Sequence, residues 1–128
     1  MRTFAIALLS AVAVFASCNN DDDEPGNRSR ILRYELTGTF SGTSIITAYT
    51  TASGGTVTEQ ITSLPWTKEI TYESIVGGVS MVVSGAGGVA GEQSTLTIKR
   101  GGSQLGSPIT ATADARGAFT LSSPVITF

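Results

Sequence analysis

The segment that decides the fold is STLTIKRGGSQL, which occupies residues 94–105. Apolar and polar residues alternate along it up to Gly101-Gly102, as they do in a half-buried β-strand. Glycine adopts the positive φ angles of a two-residue type I′ turn without steric cost, so the pair predicts a tight hairpin with one apolar face. The opposed residues are Arg100 with Ser103, Lys99 with Gln104, Ile98 with Leu105, and Leu96 with Ser107.

The rest of the chain from residue 31 onward has the same character, with short β-branched runs separated by glycines. None of these runs carries apolar residues at helical spacing. Seven or eight short antiparallel strands are typical of a sandwich, so residues 31–128 are expected to form an all-β domain of two packed sheets. The predicted strands are 31–37, 45–51, 56–62, 68–73, 79–84, 95–100, 103–112 and 118–122, with 125–128 continuing the last.

A second glycine pair, Gly54-Gly55, predicts a reversal between the second and third strands. Two interpretations of Ile45 and Tyr49 stay open. They form either an exposed strip for a ligand or protein partner, or part of a sheet that is buried on both sides or paired in another register. The reversal places four apolar residues on the face opposite to them: Ile46, Ala48, Val57 and Ile61.

Trp66 is the only tryptophan and follows Leu64-Pro65. Proline donates no backbone hydrogen bond to a sheet, so Leu64 to Trp66 is expected to form a corner between strands. The indole either stacks on a sugar ring at the surface or fills the gap between two sheets. Trp66 therefore joins Ile45 and Tyr49 as a candidate partner surface.

Cys18 is the only cysteine and follows an apolar stretch, residues 4–17, that comes after Arg2. A positive start, an apolar centre and small residues before the break are typical of a secretory signal peptide. With cysteine directly after the break, the segment resembles the lipobox of bacterial lipoproteins, whose cysteine thiol receives a diacylglyceryl group. A stretch of 14 residues is too short to span a bilayer, which needs about 20. We therefore predict a cleaved signal peptide over residues 1–17 and lipidation of Cys18.

The residues after Cys18 predict where the anchored protein faces. Blocks of like charge repel one another, so residues 18–30 are expected to form a lipidated, flexible tether. This acidic run also resembles the export signal of surface-displayed lipoproteins of the Bacteroidota. The predicted localisation is the outer membrane, facing the cell exterior or, if the run is only a tether, the periplasm. The residues of the run are Asn19, Asn20, Asp21, Asp22, Asp23 and Glu24.

Several motifs of the domain resemble one family, and Leu-Pro-Trp is the most specific of them. They are Tyr34-Glu35-Leu36-Thr37-Gly38, Ile45-Ile46-Thr47-Ala48-Tyr49-Thr50, Gly54-Gly55, Leu64-Pro65-Trp66-Thr67-Lys68, and Leu96-Thr97-Ile98 before Gly101. Over residues 33–122 the chain is similar to the MmpS-type transport accessory proteins. The resemblance implies an immunoglobulin-like β-sandwich and an exporter of lipids or siderophores as partner. The mycobacterial members carry paired cysteines, which this domain lacks, and a membrane helix in place of the lipid.

The folded part of the chain is almost neutral. From Arg28 onward it has seven basic and six acidic residues. No basic face is available to neutralise phosphates, which argues against a nucleic-acid partner. Arg28, Arg30 and Arg33 cluster beside the tether, where they either contact anionic headgroups or lipopolysaccharide, or form a solvated start of the first strand.

The residue types of common catalytic sites are missing from the sequence. The chain has no histidine, and its one cysteine precedes the domain, which excludes Ser-His-Asp and Cys-His arrangements and typical zinc sites. We therefore predict that the protein is not an enzyme and needs no cofactor or metal. The carboxylates of the domain are scattered: Glu35, Glu59, Glu69, Glu73, Glu92 and Asp114.

The segment Gly85-Ala86-Gly87-Gly88-Val89-Ala90 fits the dinucleotide-binding fingerprint. That fingerprint binds a pyrophosphate only where a helix begins after it. Here Gly91-Glu92-Gln93 and β-branched residues follow, so the segment is predicted to be a loop without a nucleotide.

Two functions remain from the sequence. The first is a non-catalytic binding or accessory module that docks onto an envelope protein, lipid or polysaccharide, such as a transport system. The second is a structural surface-coat or adhesin subunit that associates through exposed strand edges. In both, the lipid anchor makes the membrane a partner.

Overall fold

The computed structural model describes residues 29–128, and in this range the chain is all β. The predicted signal peptide (1–17), Cys18, the acidic run 19–24 and Arg28 lie outside these residues. Eight strands have four residues or more, as predicted, and three further strands have two residues each. The strands are β1 (Ile31–Gly38), β2 (Ser44–Thr50), β3 (Thr56–Ile61), β4 (Trp66–Thr71), β5 (Gly78–Val79), β6 (Met81–Ala86), β7 (Gln93–Arg100), β8 (Ser103–Gln104), β9 (Ile109–Thr112), β10 (Phe119–Ser122) and β11 (Ile126–Thr127).

The strands form two large antiparallel sheets and one small one. The five-stranded sheet has the order β4-β1-β7, and both β8 and β9 pair with β7. The four-stranded sheet has the order β10-β6-β2-β3, and β11 pairs with β5. The two large sheets share one apolar core, so the domain is a β-sandwich. Its immunoglobulin-like identity stays a prediction.

The core consists of alternate residues of each strand, because successive side chains point to opposite faces of a sheet. Three side chains of β1, Leu32, Tyr34 and Leu36, are completely buried, and they belong to the same core as Met81 and Val83 of β6, which are also completely buried. Burying one large apolar side chain stabilises the fold by about 1.5–3 kcal/mol. The alternation therefore fixes which face of each strand points inward.

The Gly101-Gly102 hairpin is confirmed. Both glycines have positive φ angles, 59° and 92°, as a type I′ turn requires. The Leu105 N–H donates to the Ile98 carbonyl at 2.7 Å, in the predicted register. The predicted pairs Arg100 with Ser103 and Lys99 with Gln104 both form.

The predicted pairing of Leu96 with Ser107 is wrong. Leu96 pairs with Ile109 instead. The chain leaves the sheet around Gly106, which has a φ of 68°, and Pro108 has no N–H to donate. The single strand predicted over 103–112 is therefore two strands, β8 and β9, and β9 is shifted by two residues.

The predicted register between β2 and β3 is also wrong. The loop between them spans residues 51–55 and not Gly54-Gly55 alone. The observed register differs from the predicted one by an odd number of residues, which exchanges the faces of β3 relative to β2. The observed pairs include Ile45 with Ile61 and Tyr49 with Val57.

The sandwich has two lateral edges, where the end strands of the two sheets face each other. At the closed edge, β9 and β10 contact each other and residues 113–118 connect them. The Asp114 Oδ1 accepts the N–H groups of Arg116 and Ala118 at 2.9 and 3.1 Å, and the Gly117 carbonyl accepts the Gly88 N–H at 3.0 Å. At the open edge, β3 and β4 are the end strands and residues 62–65 connect them.

Candidate functional site

A cleft of about 350 Å³ lies at the open edge. Its surface is mainly apolar, and one of its lining residues, Val57, is 38% exposed. Ligand sites in proteins are typically concave and apolar with a few fixed polar groups, and this cleft has that character. It is lined by Tyr49, Thr51, Ala52, Val57, Lys68, Glu69, Ile70 and Thr71.

The alternation of β4 brings both an apolar and a charged side chain to the cleft. Ile70, 8% exposed, faces the core, and Lys68 is two residues away on the same side of the strand. A lysine at an inward position is tolerated here because β4 ends its sheet and the long side chain reaches toward solvent. The ammonium group therefore lies at the rim of an apolar site.

Tyr49, Glu59 and Lys68 form a polar cluster at this rim. The Tyr49 hydroxyl donates to the Glu59 Oε1 at 2.7 Å. The Lys68 Nζ lies 3.3 Å from the same carboxylate oxygen. It also lies 5.7 Å from the centroid of the Tyr49 ring, within range of a cation–π interaction. The cluster thus joins β2, β3 and β4 across the gap between the sheets.

The cluster stays in its ordinary ionisation state at neutral pH. The Tyr49 hydroxyl bond, followed by the Lys68 ammonium, lowers the pKa of Glu59. The Tyr49 hydroxyl and the Glu59 carboxylate raise the pKa of Lys68. Burial, aided by the bond to Glu59, raises the pKa of Tyr49. Each shift moves the pKa further from neutrality, so the cluster suits binding and orientation.

A backbone and a tyrosine hydrogen bond connect the chain after β2 to the chain after β4, next to the cleft. The Glu73 N–H donates to the Ala52 carbonyl at 2.9 Å, and the Tyr72 hydroxyl donates to the Thr50 carbonyl at 2.7 Å. Behind them the hydroxyls of Tyr34 and Tyr72 are 2.9 Å apart in the core. Because Tyr72 donates its only hydroxyl proton to Thr50, Tyr34 donates to Tyr72.

The predicted partner surface is not an exposed strip. Ile45 and Tyr49 are only 2% and 6% exposed, because the observed register turns them toward the core. Tyr49 still contributes to the cleft from its inner side. Trp66 begins β4 after a cis Leu64-Pro65 bond, is half-buried and packs against the core. Of its two interpretations, the structure favours packing between the sheets.

The described members of the arginine cluster are bound within the domain. Arg30 donates to the carbonyls of Glu73 and Val76 at 2.7 and 2.8 Å. The Arg33 Nε donates to the Glu35 carboxylate at 2.8 Å. Both side chains therefore already have partners at the start of β1.

Arg30 and Arg100 enclose the ring of Phe128. Their guanidinium carbons lie 4.7 and 4.9 Å from its centroid. Arg100 also donates to the carbonyls of Ser29 and Thr127, at 2.9 and 3.2 Å. These contacts tie the segment before β1 to β11.

Of the scattered carboxylates, Glu92 has a structural role. Its Oε1 accepts the Val89 N–H at 2.8 Å and both the N–H and the hydroxyl of Ser41 at 3.0 Å. These donors, the Val89 N–H first, lower the pKa of Glu92. Within residues 29–128, no three histidine, cysteine, aspartate or glutamate side chains come together as metal ligands.

The glycine-rich segment, residues 85–90, was predicted to be a loop, and this prediction is correct only from Gly87 onward. Gly85 and Ala86 belong to the end of β6, and residues 87–92 form a loop before β7 begins at Gln93. No helix follows it, as predicted.

Four residues of this site were not predicted from the sequence: Lys68, Ile70, Val57 and Glu59. The feature that could have revealed the site is Lys68, a charged residue on the same face of a predicted strand as the buried Ile70. A charge at an inward position indicates an edge strand with a neighbour that compensates it.

The chain matches no protein-family model, no curated protein and no solved structure. The resemblance to MmpS-type proteins therefore stays a prediction. Across residues 29–128, no helix has the length and apolar character needed to cross a bilayer.

Proposed function

We propose that the protein is a non-catalytic binding module of the outer membrane, anchored through Cys18 and facing the cell exterior. It serves as an accessory to an envelope partner, such as a transport system, and engages that partner through the cleft at the open edge. The cleft is the observation that supports this proposal, because it combines an open apolar surface with a fixed ion pair. Such a combination gives affinity through burial and orientation through polar contacts.

Binding suits the cluster better than proton transfer does. A general acid or base works best with a pKa near the operating pH. In the cluster, the pKa of Glu59 is lowered and those of Lys68 and Tyr49 are raised. None of the three is tuned to exchange a proton at neutral pH.

The anchor is tested by replacing its thiol. One acyl chain gives only marginal membrane binding, whereas two or more hold a protein firmly. We expect Cys18→Ser to move the protein from the membrane fraction to the soluble fraction of lysed cells. Membrane sedimentation equal to that of the parent would contradict lipid anchoring.

The cleft is tested by photo-cross-linking in intact cells. Val57 is replaced by benzoylphenylalanine, since its side chain is 38% exposed at the cleft. Thr112, exposed on β9 away from the cleft, carries the same amino acid in the control. We expect a discrete adduct with an envelope protein from position 57 only. No adduct, or the same adducts from both positions, would contradict the assignment.

A second function, a structural subunit associating through strand edges, is favoured by one observation. Within residues 29–128, β3 and β4 each pair on one side only, so both present an unpaired edge. Unpaired edges are templates for pairing with another chain. In the cross-linking experiment this function predicts adducts between copies of the protein itself.

A further inference from the structure

We infer that the open edge binds an extended segment of a partner protein, which adds to β4 as a strand and carries a basic residue next to an apolar one. The inference rests on the proposed function and specifies the chemistry of its partner. Strand addition supplies affinity through backbone hydrogen bonds and specificity through alternate side chains.

No strand in the described part of the chain pairs with β4 on the side away from β1. The Tyr72 N–H donates to the Arg30 carbonyl, just before β1, at 2.9 Å. The next residue, Glu73, donates in the other direction, to the Ala52 carbonyl at 2.9 Å. In an antiparallel sheet both backbone groups of a residue point the same way, and successive residues alternate.

This alternation identifies the free groups. Residues an even number of positions before Glu73 have the same backbone orientation as Glu73. The N–H and C=O groups of Thr67, Glu69 and Thr71 therefore point away from β1. Their side chains lie on the exposed outer face of the five-stranded sheet. The free edge of β4 therefore offers three residues for a hydrogen-bonded ladder, ending where Glu73 already pairs with Ala52.

The apolar part of the motif follows from Ile70. This side chain faces the cleft beside the ring of Tyr49. A residue placed opposite Ile70 on an added strand points inward as well, because opposed residues share a face. An apolar side chain at that position fills the cleft against Val57, which is otherwise 38% exposed.

The basic part of the motif follows from Glu69. Among the described residues Glu69 has no ion pair, and its register neighbour Arg33 bonds to Glu35. A residue opposite Glu69 on an added strand lies about 5 Å away between Cβ atoms, on the outer face. Lysine or arginine at that position complements the carboxylate.

Lys68 makes the edge selective. Inward-pointing charges on edge strands prevent indiscriminate pairing with apolar strands. The residue opposite Lys68 must therefore be a hydroxyl or carboxylate residue. β4 is favoured over β3 because four consecutive residues of β4, 68–71, line the cleft, whereas β3 contributes only Val57.

The test selects a displayed library of random heptapeptides on the full-length acylated protein in detergent micelles. We expect enrichment of peptides with lysine or arginine beside an apolar residue. Thr71→Pro removes one N–H from the free edge and leaves the β1 pairing intact, so it should weaken the selected peptides by about tenfold or more. Thr58→Pro, whose N–H points to the free edge of β3, is the matched control and should bind like the parent.

A charge reversal gives a readout that loss of folding cannot imitate. Selection on Glu69→Lys should replace the basic residue of the enriched peptides by aspartate or glutamate. No enrichment, unchanged peptides on Glu69→Lys, or equal binding by Thr71→Pro would overturn the inference.

The cross-linking experiment separates this inference from the proposed function. An envelope adduct at position 57 that persists in Thr71→Pro leaves the binding module standing and overturns strand addition. An adduct between copies of the protein that Thr71→Pro abolishes identifies a second copy as the occupant and also overturns the inference. No adduct in the parent contradicts the proposed function itself.

Discussion

The two lateral edges of the sandwich have the same kind of connection, but β9 and β10 contact each other at one edge, whereas a cleft lies at the other, beside β3 and β4. At each edge a short connection joins the end strands of the two sheets, 113–118 at the closed edge and 62–65 at the open edge. At the closed edge the chain meets itself at glycines, and a Cβ on Gly117 would collide with the backbone of Gly88. At the open edge Lys68 occupies an inward position. Side-chain size at the edge, and not connectivity, therefore sets the gap between the sheets.

The largest expected effect comes from Gly117→Ala, which breaks the closed edge. Gly117 has a φ of 75° and no room for a Cβ beside Gly88. We expect a loss of about 2–4 kcal/mol in the free energy of unfolding, measured in urea. Gly91→Ala is the control, because Gly91 also has a positive φ, 93°, but open space around it. Its loss should be only about 1–2 kcal/mol, and equal losses would contradict the steric explanation.

Tyr34→Phe tests the core behind the open edge. Removing the bond to Tyr72 should cost about 1 kcal/mol at pH 7. Burial, aided by Tyr72, raises the pKa of Tyr34 above that of the unfolded chain, about 10. The stabilisation linked to a raised pKa is complete below pH 10 and is lost as the pH rises further.

The pH series for this prediction uses urea unfolding from pH 7 to 11. The parent should lose stability above pH 10 more steeply than Tyr34→Phe does. Tyr72, whose pKa burial also raises, keeps some dependence in the variant. Parallel curves would show that Tyr34 is not the group responsible.

Glu59→Gln tests the cluster that joins the open edge. The Tyr49 and Lys68 contacts lower the pKa of Glu59, so its contribution is present above the unfolded pKa, about 4.3, and is lost as the pH falls below it. The side chain is about one-third exposed, so we expect only about 0.5 kcal/mol at pH 7. The parent should lose this amount between pH 5 and pH 3. Glu69→Gln is the control, because among the described residues this carboxylate has no ion pair, and it should leave the free energy of unfolding at pH 7 unchanged.

The smallest effect, with the opposite sign, is expected from Ser94→Ala on the closed side. Ser94 is completely buried on β7 beside Ala111 of β9, and its hydroxyl has no hydrogen-bond partner among the described residues. Removing an unpaired buried hydroxyl should be neutral or stabilise by about 0.5 kcal/mol. Thr47→Val, which removes a buried hydroxyl bonded to the Val82 carbonyl at 3.0 Å, should instead destabilise. A loss in Ser94→Ala comparable to that of Thr47→Val would indicate a partner for Ser94.

The parts of the fold that the sequence predicted correctly are those specified locally. The turn between β7 and β8 consists of Gly101-Gly102 alone, so the residues on either side of it pair as expected. Gly54-Gly55 lies inside a five-residue loop, and the glycines alone do not show how many neighbours leave the strands. The resulting odd shift exchanged the faces of β3 relative to β2 and turned Ile45 and Tyr49 inward.

The cleft could not be predicted because it depends on contacts between sheets. Val57 and Ile70 belong to strands that end different sheets, and no local pattern places those ends side by side. Lys68 was the only indication in the local sequence, because the alternation of β4 places residue 68 inward and its side chain is charged. Tyr49 was selected for the wrong reason, as a residue on an exposed face, although it does line the site.

The position of β1 has a mechanical consequence. Arg100 holds the Ser29 carbonyl, and the strand that follows lies between β4 and β7 with both of its edges paired. A pull on the chain at Ser29, directed along β1, loads the two ladders in shear, so many hydrogen bonds share the force at once. Traction from the N-terminal side is thus resisted by the middle of the sheet, whereas β4 is held to its sheet by one strand only among the described residues.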